Sequence, residues 1–147
     1  MVELVTIMII LGILAVVAIP RMNSATSFRA VEFRDKAVAA LRFAQKTAVS
    51  HRRLVCVGFA TNKVSLTIDH DKNGACNNQP LLIPGSNSNE VISTETIGAF
   101  ASTPATLHFQ PNGQGTNDTG SVVTINTTID GSGFYVAGAT GYVGDAP

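Results

Sequence analysis

The sequence predicts an α+β chain, with one long N-terminal α-helix packed on a small antiparallel β-sheet or sandwich domain. Three observations predict it. From Leu4 to Ile19 no residue is charged and only Thr6 carries a hydroxyl. From Arg21 to Ser50 there is no Gly or Pro. From Leu54 onward, short runs of alternating hydrophobicity are punctuated by Gly, Asn and Pro;. Charge divides the 147 residues at the same places. Residues 1–20 hold only Glu3, and residues 21–53 hold eight basic residues against Glu32 and Asp35, a net of +6. Residues 54–147 hold Lys63 and Lys72 against seven acids, a net of −5. The expected units are therefore an apolar helix (1–20), a basic amphipathic helix (21–53) and a β-rich globular domain (54–147). A net charge of zero excludes a simple polyanion binder;. Two cysteines are too few for a disulfide scaffold or a four-thiolate zinc site, but enough for one bridge;.

The apolar block comes first. Sixteen residues rise about 24 Å as a helix, slightly less than the roughly 30 Å of a hydrocarbon core. A secretory signal peptide would carry a basic front and a small-x-small cleavage site, whereas here Glu3 stands at the front and no A-x-A follows;. A buried core helix needs more protein around it than so short a chain supplies. A membrane helix fits best. Glu3 then has two readings: a carboxylate at the edge of hydrocarbon that must be paired, or an acid that suits the positive end of the helix dipole.

Residues 21–50 follow as a helix rich in good helix formers. Phe28, Val31, Val38, Leu41, Ala44 and Ala48 recur at helical spacing, with a gap at Asp35, and predict the face laid on a partner;. Glu32 and Lys36 form a favourable i, i+4 pair. The basic residues read either as a solvated face or as a surface for acidic neighbours or nucleic acid.

The third block reads as strands. Leu54–Ala60 and Val64–Asp69 flank Thr61-Asn62-Lys63 as a hairpin, and further strands are expected at Val91–Ile97, Thr106–Gln110, Val122–Asn126 and Phe134–Ala137, with Tyr142-Val143 closing;. Pro84-Gly85, Pro111-Asn112-Gly113 and Asp130-Gly131 mark turns;. The connections at 70–90 and 111–120 are long, polar and expected to be mobile.

These residues resemble a family. Val2-Glu3-Leu4, the apolar run, Leu11-Gly12-Ile13-Leu14-Ala15 and the closing Ile19-Pro20 resemble the N-terminal segment of type IV pilins and type II secretion pseudopilins. Arg52-Arg53, the hairpin, Phe109-Gln110-Pro111-Asn112-Gly113 and Ala139-Thr140-Gly141-Tyr142-Val143 resemble the GspH/FimT branch of minor subunits. Within that branch, Leu41–Lys46 and Arg53–Val57 look closest to minor pilins of the mannose-sensitive haemagglutinin type. In the family a prepilin peptidase removes a short basic leader, and the mature chain begins Phe-Thr-Leu. Here Met1 stands where the Leu is expected, as a Leu codon read as the initiator would give.

The resemblance implies a structural subunit with no cofactor: a minor pilin or pseudopilin that assembles near a filament tip with other pilin subunits. It is anchored in the inner membrane by a single span, with its C-terminal domain in the periplasm. The eight basic residues after the apolar block would by themselves favour the opposite orientation, and the family's basic leader resolves that conflict. Glu3 becomes the acid that pairs with a neighbour's α-amino group, each charge satisfying the other in low dielectric. Gly12 and Pro20 bracket the stretch that loses helical hydrogen bonds on assembly, as residues that weaken a helix. The alternative function is a DNA-binding minor pilin for uptake, carried by residues 21–53 or a basic tail. The tail, Gly141–Pro147, has Asp145 and no Lys or Arg, which counts against the tail version.

In an extracytoplasmic domain Cys56 and Cys76 are expected to form an intrachain disulfide; the alternative is two thiols, one buried as a small hydrophobe. Asp69-x-Asp71-x-Asn73-Gly74 spells half of an oxygen-ligand calcium loop, but the twelfth position, where a bidentate Glu belongs, is Pro80;. The same residues make a good turn. Zinc has no paired ligand spacing among Cys56, Cys76 and His70. No catalytic constellation appears: His51, His70 and His108 stand singly, and no G-x-S-x-G, H-E-x-x-H or phosphate loop occurs;.

Overall fold

The structure is a computed structural model that describes residues 2–22, 24–76, 79–93 and 98–146, with the side chains of residues 15–27 left outside the description. Helix α1 runs Val2–Met22 and α2 runs Ser24–His51. Eight strands follow: β1 Val55–Ala60, β2 Lys63–Ile68, β3 Glu90–Ile92, β4 Leu107–Phe109, β5 Gly115–Thr116, β6 Ile125–Ile129, β7 Ser132–Ala137 and β8 Tyr142–Asp145. They form a five-stranded sheet in the order β3-β2-β1-β4-β5 and a three-stranded sheet β6-β7-β8, with every pair antiparallel.

Local chemistry explains where these elements stop. At the end of α2, Arg52 turns into the left-handed region (φ 51°). Its amide reaches the carbonyl of Val49, and the amide of Arg53 reaches that of Ala48, at 3.1 Å. This is the doubly bonded reversal that usually employs Gly. In the hairpin between β6 and β7, Ile129 faces Ser132, so Asp130-Gly131 is a two-residue turn, with both residues at positive φ;. The Asp130 carboxylate accepts the amide of Gly98 at 2.8 Å and ties the connection after β3 to this turn. Between β7 and β8, Gly138 lies against the carbonyl of Val123 and Gly141 against that of Gly113, so neither place has room for a Cβ;.

The core lies between α2 and both sheets. Ala30, Phe33, Ala37, Ala40, Leu41, Ala44 and Ala48 supply the helix side. Val55, Val57, Val64, Leu66, Leu107 and Phe109 supply one sheet, and Ile125, Ile129, Phe134, Val136 and Val143 the other. Phe100 joins all three layers: its ring stands 5.8 Å from Phe33, 5.7 Å from Phe59 and 6.3 Å from Phe134, edge-on each time;.

Most expected strands are present, with shifts. Lys63 is the first residue of β2, which leaves Thr61-Asn62 as the turn. The strand expected at Val122–Asn126 lies three residues later, because Ile125, Thr127 and Ile129 alternate inward while Val122 is exposed. Of the expected strand Val91–Ile97, β3 covers the start, and residues 94–97 lie outside the described residues. The short β5 falls within the expected 111–120 connection.

The face of α2 matches the sequence expectation at Val38, Leu41, Ala44 and Ala48, all buried, and differs nearer its start. Phe28 and Val31 are 72% and 44% exposed, whereas Ala30, Phe33 and Ala37 are buried. The buried line is built of alanines because a small side chain lets the helix backbone approach the sheets closely, and Phe33 fills the one wide gap beside Phe100;.

Candidate functional site

Helix α1 presents apolar side chains with nothing over them. Val2, Leu4, Val5, Ile7, Met8, Ile9, Ile10, Leu11, Ile13 and Leu14 are all between 53% and 78% exposed. Leaving such a side chain in water forgoes about 1.5–3 kcal/mol relative to burial. Contiguous apolar surface on this scale marks a site that meets lipid or protein. Among the described residues no helix is long and apolar enough to cross a membrane.

The expected site residues of this helix fall as follows. Glu3 lies in the first turn of α1 and is exposed, and its backbone carbonyl accepts the Thr6 hydroxyl at 2.8 Å. Gly12 is helical, with open space where a Cβ would stand. The backbone of Pro20 is helical, and its side chain lies outside the described residues.

Cys56 of β1 and Cys76 of the following connection are joined by a disulfide, with Cα atoms 6.0 Å apart. Closing a loop of this length is worth about 3 kcal/mol in restricting the unfolded chain. The calcium-like segment is a turn held by its own backbone. Asp69 is 2% exposed, and its carboxylate accepts the amides of Asn73 at 3.3 Å and Gly74 at 2.8 Å. The Asn73 side chain accepts the amide of Ala75, and Asp71 is exposed beside His70. The oxygens of Asp69 and Asn73 are thus committed to amides. Among the described residues no group of three or more His, Cys, Asp or Glu could hold a metal ion.

His70 stands 3.4 Å from Asp71, and His108 stands 3.1 Å from Asp118, which also accepts the Thr106 hydroxyl at 2.9 Å. His108 of β4 and Thr106 thus both meet Asp118 of the connection after β5, and His70 meets its chain neighbour Asp71.

Reading the sequence missed the residues that fasten the long helix to the domain. Arg34 donates to Asp35 at 2.9 Å, to the Gly133 carbonyl at 3.0 Å and to the Asp145 carboxylate, while its Nε is buried without a partner. The two carboxylates raise its pKa above the ordinary arginine value, Asp35 most. Arg42 Nε donates to the Val143 carbonyl at 3.1 Å, and Gln45 Nε2 to that of Thr140 at 2.9 Å. Three side chains along one side of α2, at positions 34, 42 and 45, therefore hold the final hairpin. The only sequence signal was their helical spacing, since their acceptors lie about a hundred residues away.

Comparisons with known proteins agree with this architecture. The family model described as type II transport protein GspH matches residues 35–140. A crystal structure of the type IV minor pilin FimU from Pseudomonas aeruginosa strain PAO1 is similar to this chain with a TM-score of 0.50 and 16% identity. The match covers 85% of this chain and 90% of that one. No curated protein matches the chain.

Proposed function

From the premise that the chain belongs to the type II transport protein GspH family, whose members are structural pilin-like subunits, we propose that it works as a minor pilin or pseudopilin. Helix α1 stands in the inner membrane before assembly and packs among the helices of neighbouring subunits afterwards, while the β-domain occupies the filament surface near the tip. One observation carries the reading: an apolar helix with no cover is attached to a domain whose own core is closed. The apolar run of 16 residues, about 24 Å, is accommodated by local thinning of the bilayer or by flanking residues. The disulfide suits a periplasmic domain, where thiols are oxidised;. Processing by a prepilin peptidase and interaction with other pilin subunits belong to the same proposal.

Glu3 is the assembly residue in this reading. Beside a neighbour's α-amino group its carboxylate is paired in the low dielectric of a helix bundle, and removing one member of such a pair is costly. Gly12 and Pro20 are the positions at which α1 gives up helical hydrogen bonds in the filament. The DNA-uptake reading has less support, because Arg34 and Arg42 are spent on the final hairpin and Lys36 pairs with Glu32 at 2.6 Å. The test is Glu3→Ala at matched expression: membrane insertion stays intact and incorporation into sheared filaments drops at least tenfold. Incorporation at the normal level would remove the pairing role.

A further inference from the structure

Two of the three non-glycine residues with left-handed backbone among the described residues are cations, and both line the same pocket. They are Arg52 (φ 51°) and Lys72 (φ 57°). The pocket holds about 300 Å³ and lies between the end of α2 and the disulfide-tethered connection, with Arg53, Asp69, Gly74 and Gln110 among its other walls. Backbone strain of this kind persists where the surrounding structure enforces it, and clusters at sites that bind or switch.

The walls around the two exposed cations are tied to one another. Arg53 Nη1 donates to the carbonyls of Asp69 and His70 and so fastens the helix end to the connection. The Asp69 carboxylate is turned onto the amides of Asn73 and Gly74, so the one acid in the wall is already engaged. Cys76, four residues beyond Lys72, is bonded to β1. Neither Arg52 nor Lys72 pairs with an acid among the described residues. A second copy of this chain would bring carboxylates, since residues 54–147 have a net charge of −5.

We infer that the pocket of Arg52, Arg53 and Lys72 receives an acidic side chain from the β-domain of the adjoining subunit, making it a second assembly contact beyond the helix bundle. The inference rests on the proposed filament role. It places an ion pair about 40 Å along α2 from its start, at 1.5 Å of rise per residue, far from lipid headgroups;. Such a contact fixes the rotation of one subunit against the next, which the apolar helices alone do not, since burial of aliphatic surface is non-directional.

The test treats filaments carrying the full chain with a carbodiimide, which activates a carboxylate for attack by the Lys72 amine, leaving an amide and a released urea. Mass mapping is expected to find Lys72 joined to an Asp or Glu of another subunit. In parallel, Arg52→Gly combined with Lys72→Gly removes both charges while suiting the left-handed backbone. Its melting temperature should match or exceed that of the parent chain, and its incorporation should fall about tenfold. Lys72→Arg, which keeps the charge, should restore incorporation when Arg52 is intact. Filaments that contain the chain with Lys72 unlinked to another subunit, or a double Gly variant that assembles normally, overturn the pocket and leave the filament role standing. Absence of the parent chain from filaments overturns both.

Discussion

The two helices of this chain have the same backbone and opposite relations to their surroundings. Helix α1 is built from large aliphatics on every side, and those described are exposed. Helix α2 buries mostly alanines, from Ala30 to Ala48, and exposes the larger Phe28, Val31 and Val49. Size of apolar side chain therefore does not predict which helix is covered. What decides is whether another element is shaped to meet it. The sheets meet α2 closely enough that a methyl group fills the space, and no described side chain of α1 is buried by another element. The first helix is made for an environment, the second for a particular partner.

Removing residues 1–22 is the strongest way to break that comparison. The remaining chain should be soluble and monomeric without detergent and should unfold cooperatively, since no described side chain of α1 belongs to its core;. Circular dichroism and sedimentation report this directly, and aggregation would place α1 in the globular core. Next in size is Phe33→Ala, which opens a hole beside Phe100 and should lower stability of that shortened chain by about 3–5 kcal/mol in urea unfolding;. The same approach sharpens the contrast between the helices when methylenes are added or removed. Ala44→Leu on α2 should cost about 1–3 kcal/mol by overpacking;. Ile10→Ala in the detergent-solubilised full chain should move the unfolding of the β-domain by less than about 0.5 kcal/mol;. An effect at Ile10 equal to that at Ala44 would erase the distinction.

Local patterns were legible in the sequence, and contacts made across the chain were not. Alternation placed β1 and β2 almost to the residue, and Asp130-Gly131 announced its turn through backbone chemistry that operates within two residues. The apolar block and the cysteine pair were equally plain. The inward face of α2 was read correctly from Val38 to Ala48 and misread only near its start, where Phe28 and Val31 weigh more in a periodic pattern than Ala30. The crossover that sets β4 beside β1 depends on pairing across about fifty residues, for which no local preference exists;. Arg34 and Arg42 read, with the other basic residues, as a solvated face or a surface for acidic neighbours or nucleic acid, and Gln45 gave no signal of its own. The carbonyls and carboxylate that engage them arrive only when the last hairpin folds back. The pocket lined by Arg52 and Lys72 was hidden for the same reason, as Lys72 stands in what reads as an ordinary polar turn.

The grip of α2 on the final hairpin bears on how such a subunit avoids the wrong polymer. An unpaired strand margin is a template on which another chain can add by main-chain hydrogen bonds. Here Arg42 occupies the Val143 carbonyl of β8, and Gln45 that of Thr140 in the turn before it. On the other side of that sheet, the stretch around Phe100 and Ala101 bonds to β6 at Ile129 and Thr128. The larger sheet ends in strands of three and two residues, too short to seed much growth;. The described margins of both sheets are thus engaged or short, which limits fibrous β-addition when many copies crowd together;. In the proposed filament, association would then fall to the uncovered helix and to the pocket of Arg52 and Lys72 rather than to strand margins.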